Sequence, residues 1–146
     1  MTAPPSPSRG ALARLYLVSL AAFLVVDGLW LGVVAHGFYT SRLAHLMAPT
    51  TTWPAVIVFY PLFVLAVQVF VVVPGLRTGS LRRTLARAAF FGLVTYATYD
   101  LTNLATLRDW PLLVTVVDLA WGAFISTVVA LTGFLTGRRL GLAGPR

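Results

Sequence analysis

"TYATYDLTNLA", residues 95–105, carries Asp100 and Asn103 about one helical turn apart, inside a largely apolar run that extends over 88–107. A hydrocarbon core is crossed by about 20 helical residues, so the run has the length of a membrane-spanning helix. A carboxylate placed at membrane depth is costly unless other groups meet it there. Reading 95–105 as part of a spanning helix therefore decides the fold, because other helices must then surround it and supply partners.

Three further apolar runs of sufficient length occur, at 15–35, 53–73 and 112–135. The expected fold class is an all-α integral membrane protein, with four transmembrane helices in a bundle. Composition points the same way. The chain is 58% hydrophobic and only 10% charged, with a mean hydropathy of +0.86, whereas soluble domains are roughly half apolar and a quarter charged. The absence of cysteine excludes disulfides, thiolate metal sites and thiol catalysis. All eleven basic residues are arginines, against four aspartates, for a net charge of +7. These arginines flank the apolar runs instead of forming an aromatic-interleaved patch, so the expected partners are membrane lipids with anionic headgroups, and not nucleic acid.

Arginine placement sets the expected orientation. Arg9 and Arg14 precede the first run, Arg77, Arg82, Arg83 and Arg87 fall between the second and third, and Arg138, Arg139 and Arg146 follow the fourth. Only Arg42 and Arg108 lie on the other side, so both termini are expected to be cytoplasmic. The proline- and serine-rich residues 1–14 read as a disordered tail, 15–135 as one transmembrane domain, and 136–146 as a cytoplasmic C-terminal tail. The first run is too long for a signal-peptide core and contains Asp27, which favours an uncleaved helix. Trp53 and Trp110 open helices on the outer side, where indoles favour the headgroup layer. Between the first two runs, Phe38, Leu43, Leu46 and Met47 are spaced as in a short outer interfacial helix.

Counted from the outer end of each run, Asp27 lies eight residues in, Tyr60 seven, Asp100 seven and Asp118 six. At 1.5 Å per residue this places one polar residue from each helix at a common depth of roughly 9 to 12 Å. An outward-opening pocket follows, lined by carboxylates, a carboxamide, hydroxyls and indoles. Tyr96 and Asn103 share the helical face of Asp100, Thr115 and Trp121 bracket Asp118, and Trp30 follows Asp27 by one turn. No arginine reaches that depth, and three adjacent carboxylates cannot all stay ionised. Asp100 and Asp118, with Asp27 beside them, are therefore the expected proton-exchanging groups. Asn103, Tyr96, Tyr60, Trp30, Trp121, Thr115 and His45 are the expected ligand-binding groups. The competing reading is that these polar residues only hydrogen-bond the helices together.

Other patterns are weaker. The GxxxG spacing of Gly28 and Gly32, and Gly122 with Ser126, reads as close packing within the bundle. Pro61 should kink the second spanning helix beside Tyr60. His36 and His45 lie at the outer interface, and their nine-residue spacing matches no metal-ligand motif. "VVDGLW" at 25–30 and "VVDLAW" at 116–121 share a Val-Val-Asp-x-x-Trp pattern, compatible with coincidence or with a decayed inverted repeat. No Walker loop, GxSxG, HExxH or zinc spacing is present, so no cofactor or metal is expected and the sequence leaves open whether the chain is an enzyme.

Taken together, "DGLWLG", "AHLM", "GLVTYATYDLTNLATLRDWP" and "VVDLAWG" resemble a family of predicted bacterial membrane proteins catalogued as domain of unknown function 2177. The likeness covers nearly the whole chain beyond its N-terminal tail and is most specific at 95–105. Ala44 stands where the family pattern has glycine, which bears only on the local turn. The resemblance implies four spanning helices, a bacterial cytoplasmic (inner) membrane location, and importance for Asp27, Trp30, His45, Tyr96, Asp100, Asn103, Asp118 and Trp121. Three functions fit these residues: binding or processing of a small amphipathic or lipidic ligand, proton-coupled transport by a homo-oligomer, and an accessory or scaffold role.

Overall fold

The protein, seen in a computed structural model, is described over residues 8–143 and is all-α. Its helices are α1 (Arg9–Val34), α2 (His36–Leu43), α3 (Trp53–Thr78), α4 (Leu81–Thr106) and α5 (Leu112–Arg139). Residues 1–7 of the expected N-terminal tail and 144–146 of the C-terminal one lie outside the described residues. Residues 9–14, read as tail from composition, are helical, and the Ser8 hydroxyl accepts the Ala11 amide at 3.2 Å as an N-cap.

The cap and turn chemistry sets the boundaries. At the end of α3, Gly79 takes a left-handed φ of 64°, and Ser80 then caps α4 through the Arg83 amide. Between α4 and α5, Asp109 adopts φ 58°, a region that aspartate tolerates better than most residues. That turn swings Trp110 inward. Expected at the headgroup layer, Trp110 is instead buried, its indole N–H donating to the Thr115 hydroxyl at 3.0 Å. Trp53 does remain exposed at the start of α3.

Three helices among the described residues are long and apolar enough to cross a membrane: α1, α3 and α5. α4 has a comparable 26 residues but is less apolar, with three arginines in its first two turns and a polar second half. Part of that polarity is satisfied within the helix. The hydroxyls of Thr95, Thr98, Thr102 and Thr106 each donate to the carbonyl four residues earlier. Large apolar side chains such as Leu17, Val25, Ile57, Val58, Phe70 and Phe90 point away from the protein interior, as they do on a hydrocarbon-facing surface.

Buried positions follow the helical repeat. α1 buries Leu15, Ser19, Phe23 and Asp27, and α4 buries Thr84, Ala88, Gly92 and Asp100. Both aspartates thus sit at the ends of the stripes that face the interior. α1 runs antiparallel to α3, with Gln68 donating to Ser19 at 2.7 Å and Tyr60 reaching Asp27. It is also antiparallel to α5, where Gly133 lies beside Ser19 and Trp121 beside Asp27. α3 carries Pro61 within the helix, and π-helical turns widen α1 at Trp30–Val34 and α3 at Gln68–Val72.

The closest approach joins α4 to α5. A Cβ on Gly92 would strike the Gly122 carbonyl and the Ser126 hydroxyl, and one on Gly122 would strike the Tyr96 ring and the Gly92 carbonyl. The reading of Gly122 as a packing position stands. Gly28 and Gly32 correct the corresponding reading on α1: both are exposed and nothing lies against them. The reason is angular, since Asp27 takes the interior face and the next residue is turned away by about 100°.

These contrasting glycines predict different tolerances. Gly92→Ala should lower stability by about 2 kcal/mol through overpacking, while Gly28→Ala should change it by less than about 0.5 kcal/mol. Thermal unfolding of both variants in the same detergent checks this, and equal losses would contradict the packing described.

Candidate functional site

At the end of the long helices away from the chain termini lies a cavity of about 550 Å³. α1 contributes Asp27 and Leu31, α2 contributes Tyr39 and Leu43, and α3 contributes Ala55, Val56, Phe59 and Tyr60. α4 adds Tyr96 and Tyr99, while Trp110, Asp118 and Trp121 complete the wall from the last turn and α5. Every helix therefore takes part.

Asp27 is 4% exposed and accepts two hydrogen bonds from different helices. The Tyr60 hydroxyl donates to one carboxylate oxygen at 2.5 Å, and the Trp121 indole N–H donates to the other at 2.9 Å. Bonds to a charged acceptor are among the stronger ones in a protein interior. Asp118 accepts a short hydrogen bond from the Tyr39 hydroxyl, and that hydroxyl in turn accepts the Trp30 indole N–H at 3.2 Å. Burial, followed by the bond to Asp118, holds the Tyr39 phenol above its ordinary pKa, so it remains a donor at neutral pH.

The two Val-Val-Asp-x-x-Trp segments meet here. Trp30 and Trp121 stack with ring centroids 4.2 Å apart and planes 8° from parallel. Each aspartate is bonded to the tryptophan of the opposite segment, Asp27 to Trp121 directly and Asp118 to Trp30 through Tyr39. The repeated pattern is thus used as one cross-linked unit, whatever its origin.

Asp100 extends this network. It is completely buried, and neither carboxyl oxygen accepts a bond from a hydroxyl or N–H group. Its partner is the Asp118 carboxyl, which lies within hydrogen-bonding reach. A hydrogen bond between two carboxyls requires that one of them carries a proton.

Of the residues singled out in the sequence, the cavity brings together Asp27, Tyr60, Tyr96, Asp118 and Trp121. Trp30 supports the wall from behind by stacking, and Thr115 is buried as the acceptor for Trp110. Asp100 lies behind Asp118, outside the cavity wall. Asn103, half-buried on α4 beside Tyr99, is not in the wall, and His45 is exposed in the turn after α2. Sequence reasoning missed Tyr39, Tyr99, Trp110 and Phe59. Tyr99 was accessible to it, because a residue three positions after Tyr96 shares its face. Tyr39 was not, since its role depends on α2 folding back toward Asp118.

Comparison with known proteins bears on the class of the molecule. The chain belongs to the family described as Predicted membrane protein (DUF2177), whose model matches residues 12–135. No curated protein and no solved structure matches it.

The Asp27 arrangement makes a quantitative prediction. Tyr60→Phe leaves one carboxylate oxygen without its donor and should cost about 2 kcal/mol of stability. Combined with Asp27→Ala, which removes the acceptor, the loss should be smaller than the sum of the single losses, because the same bond is removed twice. A double-mutant cycle by thermal unfolding tests this, and strict additivity would mean that the bond does not form.

Proposed function

We propose that this member of a membrane-protein family binds or processes a small amphipathic or lipidic ligand, whose polar end enters the cavity between Asp27 and Asp118. In this reading residues 15–135 form one domain of the bacterial cytoplasmic membrane, a four-helix bundle in which α1, α3, α4 and α5 all span. Both termini are cytoplasmic, α2 lies in the outer interface, and the cavity opens outward. The observation that carries the proposal is the cavity itself, a large concavity with two carboxylates set in a mainly apolar and aromatic wall. Ligand sites combine these features: apolar area for affinity and a few fixed polar groups for orientation.

Charge supports the orientation. Arg9, Arg14, Arg77, Arg82, Arg83, Arg87, Arg138 and Arg139 lie at the helix ends away from the cavity, leaving Arg42 and Arg108 at the cavity end. The first group is suited to anionic headgroups of the cytoplasmic leaflet. As for α4, its 26 residues extend roughly 39 Å at 1.5 Å per residue, enough to span, and its threonine hydroxyls are satisfied internally. Asp27, Asp118 and the donors bonded to them would orient the ligand, with Tyr96 and Tyr99 forming the opposite wall.

A second reading, proton-coupled transport by an oligomer, draws on one specific observation: the buried carboxyl of Asp100 set against that of Asp118. Two carboxyls so placed can share and exchange one proton. One four-helix chain has little room for alternating access, which is why this reading requires several copies.

Mass spectrometry of the purified protein separates these readings from a purely architectural role for the aspartates. Wild-type protein should carry a co-purifying amphiphile that is depleted at least about tenfold from Asp118→Asn, the ratio expected for losing roughly 1.4 kcal/mol of contact. Equal retention by a folded Asp118→Asn protein would refute ligand binding at this site. Under the transport reading, a proton gradient should drive flux in vesicles, and Asp100→Asn should abolish it.

A further inference from the structure

The wall of the cavity carries information about charge that goes beyond its size. Seven of its thirteen residues are aromatic, two are aspartates and none is basic, so the lining presents ring faces and negative charge to whatever enters. The two arginines at this end are unavailable to neutralise the acids. Arg42 lies over the Phe38 ring, 4.4 Å from its centroid, and Arg108 is exposed in the turn after α4. Asp27 is bonded only to neutral donors, Tyr60 and Trp121, and Asp118 to the neutral phenol of Tyr39. Asp100, buried against Asp118, brings no cation with it. Carboxylates held in a low-dielectric wall without a cationic partner are electrostatically incomplete.

An anionic ligand would aggravate this deficit, and a neutral one would leave it. A cation would complete it. Aromatic faces add to the preference, since a cation within about 6 Å of a ring centroid is attracted by the ring quadrupole, most strongly for tryptophan. Trp110 and Tyr99, packed edge to face at 5.8 Å and 83°, form with Tyr96 a box of rings that lines the same cavity as the aspartates. The remaining wall, Leu31, Leu43, Ala55 and Val56, is aliphatic and suits a hydrocarbon segment attached to the cation.

Building on the ligand-binding reading above, we propose that the cavity is specific for organic ammonium groups: the ligand is an amine or quaternary ammonium whose positive head sits between the aspartates and the aromatic box. The shared chemistry is the ammonium, carried by a lipid headgroup or by a free small amine.

The full-length protein in an uncharged maltoside detergent can be titrated with dodecyltrimethylammonium, dodecyl sulfate, dodecanol and butyltrimethylammonium, reading tryptophan fluorescence and confirming stoichiometry by native mass spectrometry. Dodecyltrimethylammonium should bind at least about tenfold tighter than dodecyl sulfate or dodecanol, the scale of one desolvated cation contact. Asp118→Asn should remove that preference. Tyr99→Leu, which deletes one wall of the box without breaking a bond to either aspartate, should weaken dodecyltrimethylammonium several-fold and leave the other dodecyl probes unchanged. Tight binding of butyltrimethylammonium would assign the site to free amines, and binding only of the dodecyl cation would assign it to an amphiphile; either supports the proposal. If dodecyl sulfate or dodecanol binds as well as the cation, the ammonium specificity is overturned while the ligand site survives. If none of the four binds to the folded wild type, both are overturned.

Discussion

The bonding of Asp27 is the constraint around which the helices are arranged. One carboxylate on α1 takes a hydroxyl from α3 and an indole N–H from α5, so three helices meet at one polar point inside an otherwise apolar interior. A carboxylate without donors there would oppose folding. With them, it specifies which helices are neighbours, and at what depth, more sharply than interchangeable apolar side chains can. The stack of Trp30 on Trp121 follows from the same meeting, and so does the position of α2, whose Tyr39 closes the second half of the cross-link onto Asp118.

Away from that point, contact depends on small residues and shape. Gly92 and Gly122 let the backbones of α4 and α5 approach until one carbonyl occupies the space of the other's missing side chain. This close approach sets α4, with Asp100 and Tyr96, against α5 with Asp118. At the opposite end, Gly75 admits Thr84, and Gly137 admits Leu76. The cavity is the complement of this packing: tight contact toward the termini leaves open volume toward Tyr39 and Trp110, where bulky rings hold the helices apart.

Within the cavity, the polar groups divide by environment. Asp27 and Asp118 accept from phenol or indole groups and form part of the wall, whereas Asp100 has only the Asp118 carboxyl as a partner and is completely buried. Equivalent side chains are thereby given different work. Two acids can face a ligand, and the third, next to Asp118, can only gain or lose a proton or remain neutral. That asymmetry underlies both the binding and the proton-exchange readings, and it arises because the buried stripe of α4 carries Asp100 deeper into the interior than the wall.

Apolar runs and the spacing of buried positions made the helices legible from the residues, because length and periodicity are local properties. The family resemblance read from "DGLWLG", "AHLM", 92–111 and "VVDLAWG" matches the family to which the chain belongs. Counting depth from the run ends brought Asp27, Tyr60, Asp100 and Asp118 to one level; three of them gather in the cavity wall, and Asp100 does not. Rotation about each helix axis was less accessible. Gly28 and Gly32 face outward, Asn103 is outside the wall, and His45 is remote, since each helix turns to suit contacts that no local pattern encodes. Only the tertiary structure decided that Trp110 turns inward through the left-handed Asp109, that α2 folds Tyr39 onto Asp118, and that Asp100 has only another carboxyl as its partner. These features depend on groups far apart in the chain meeting in space, whereas helix formation requires only neighbours.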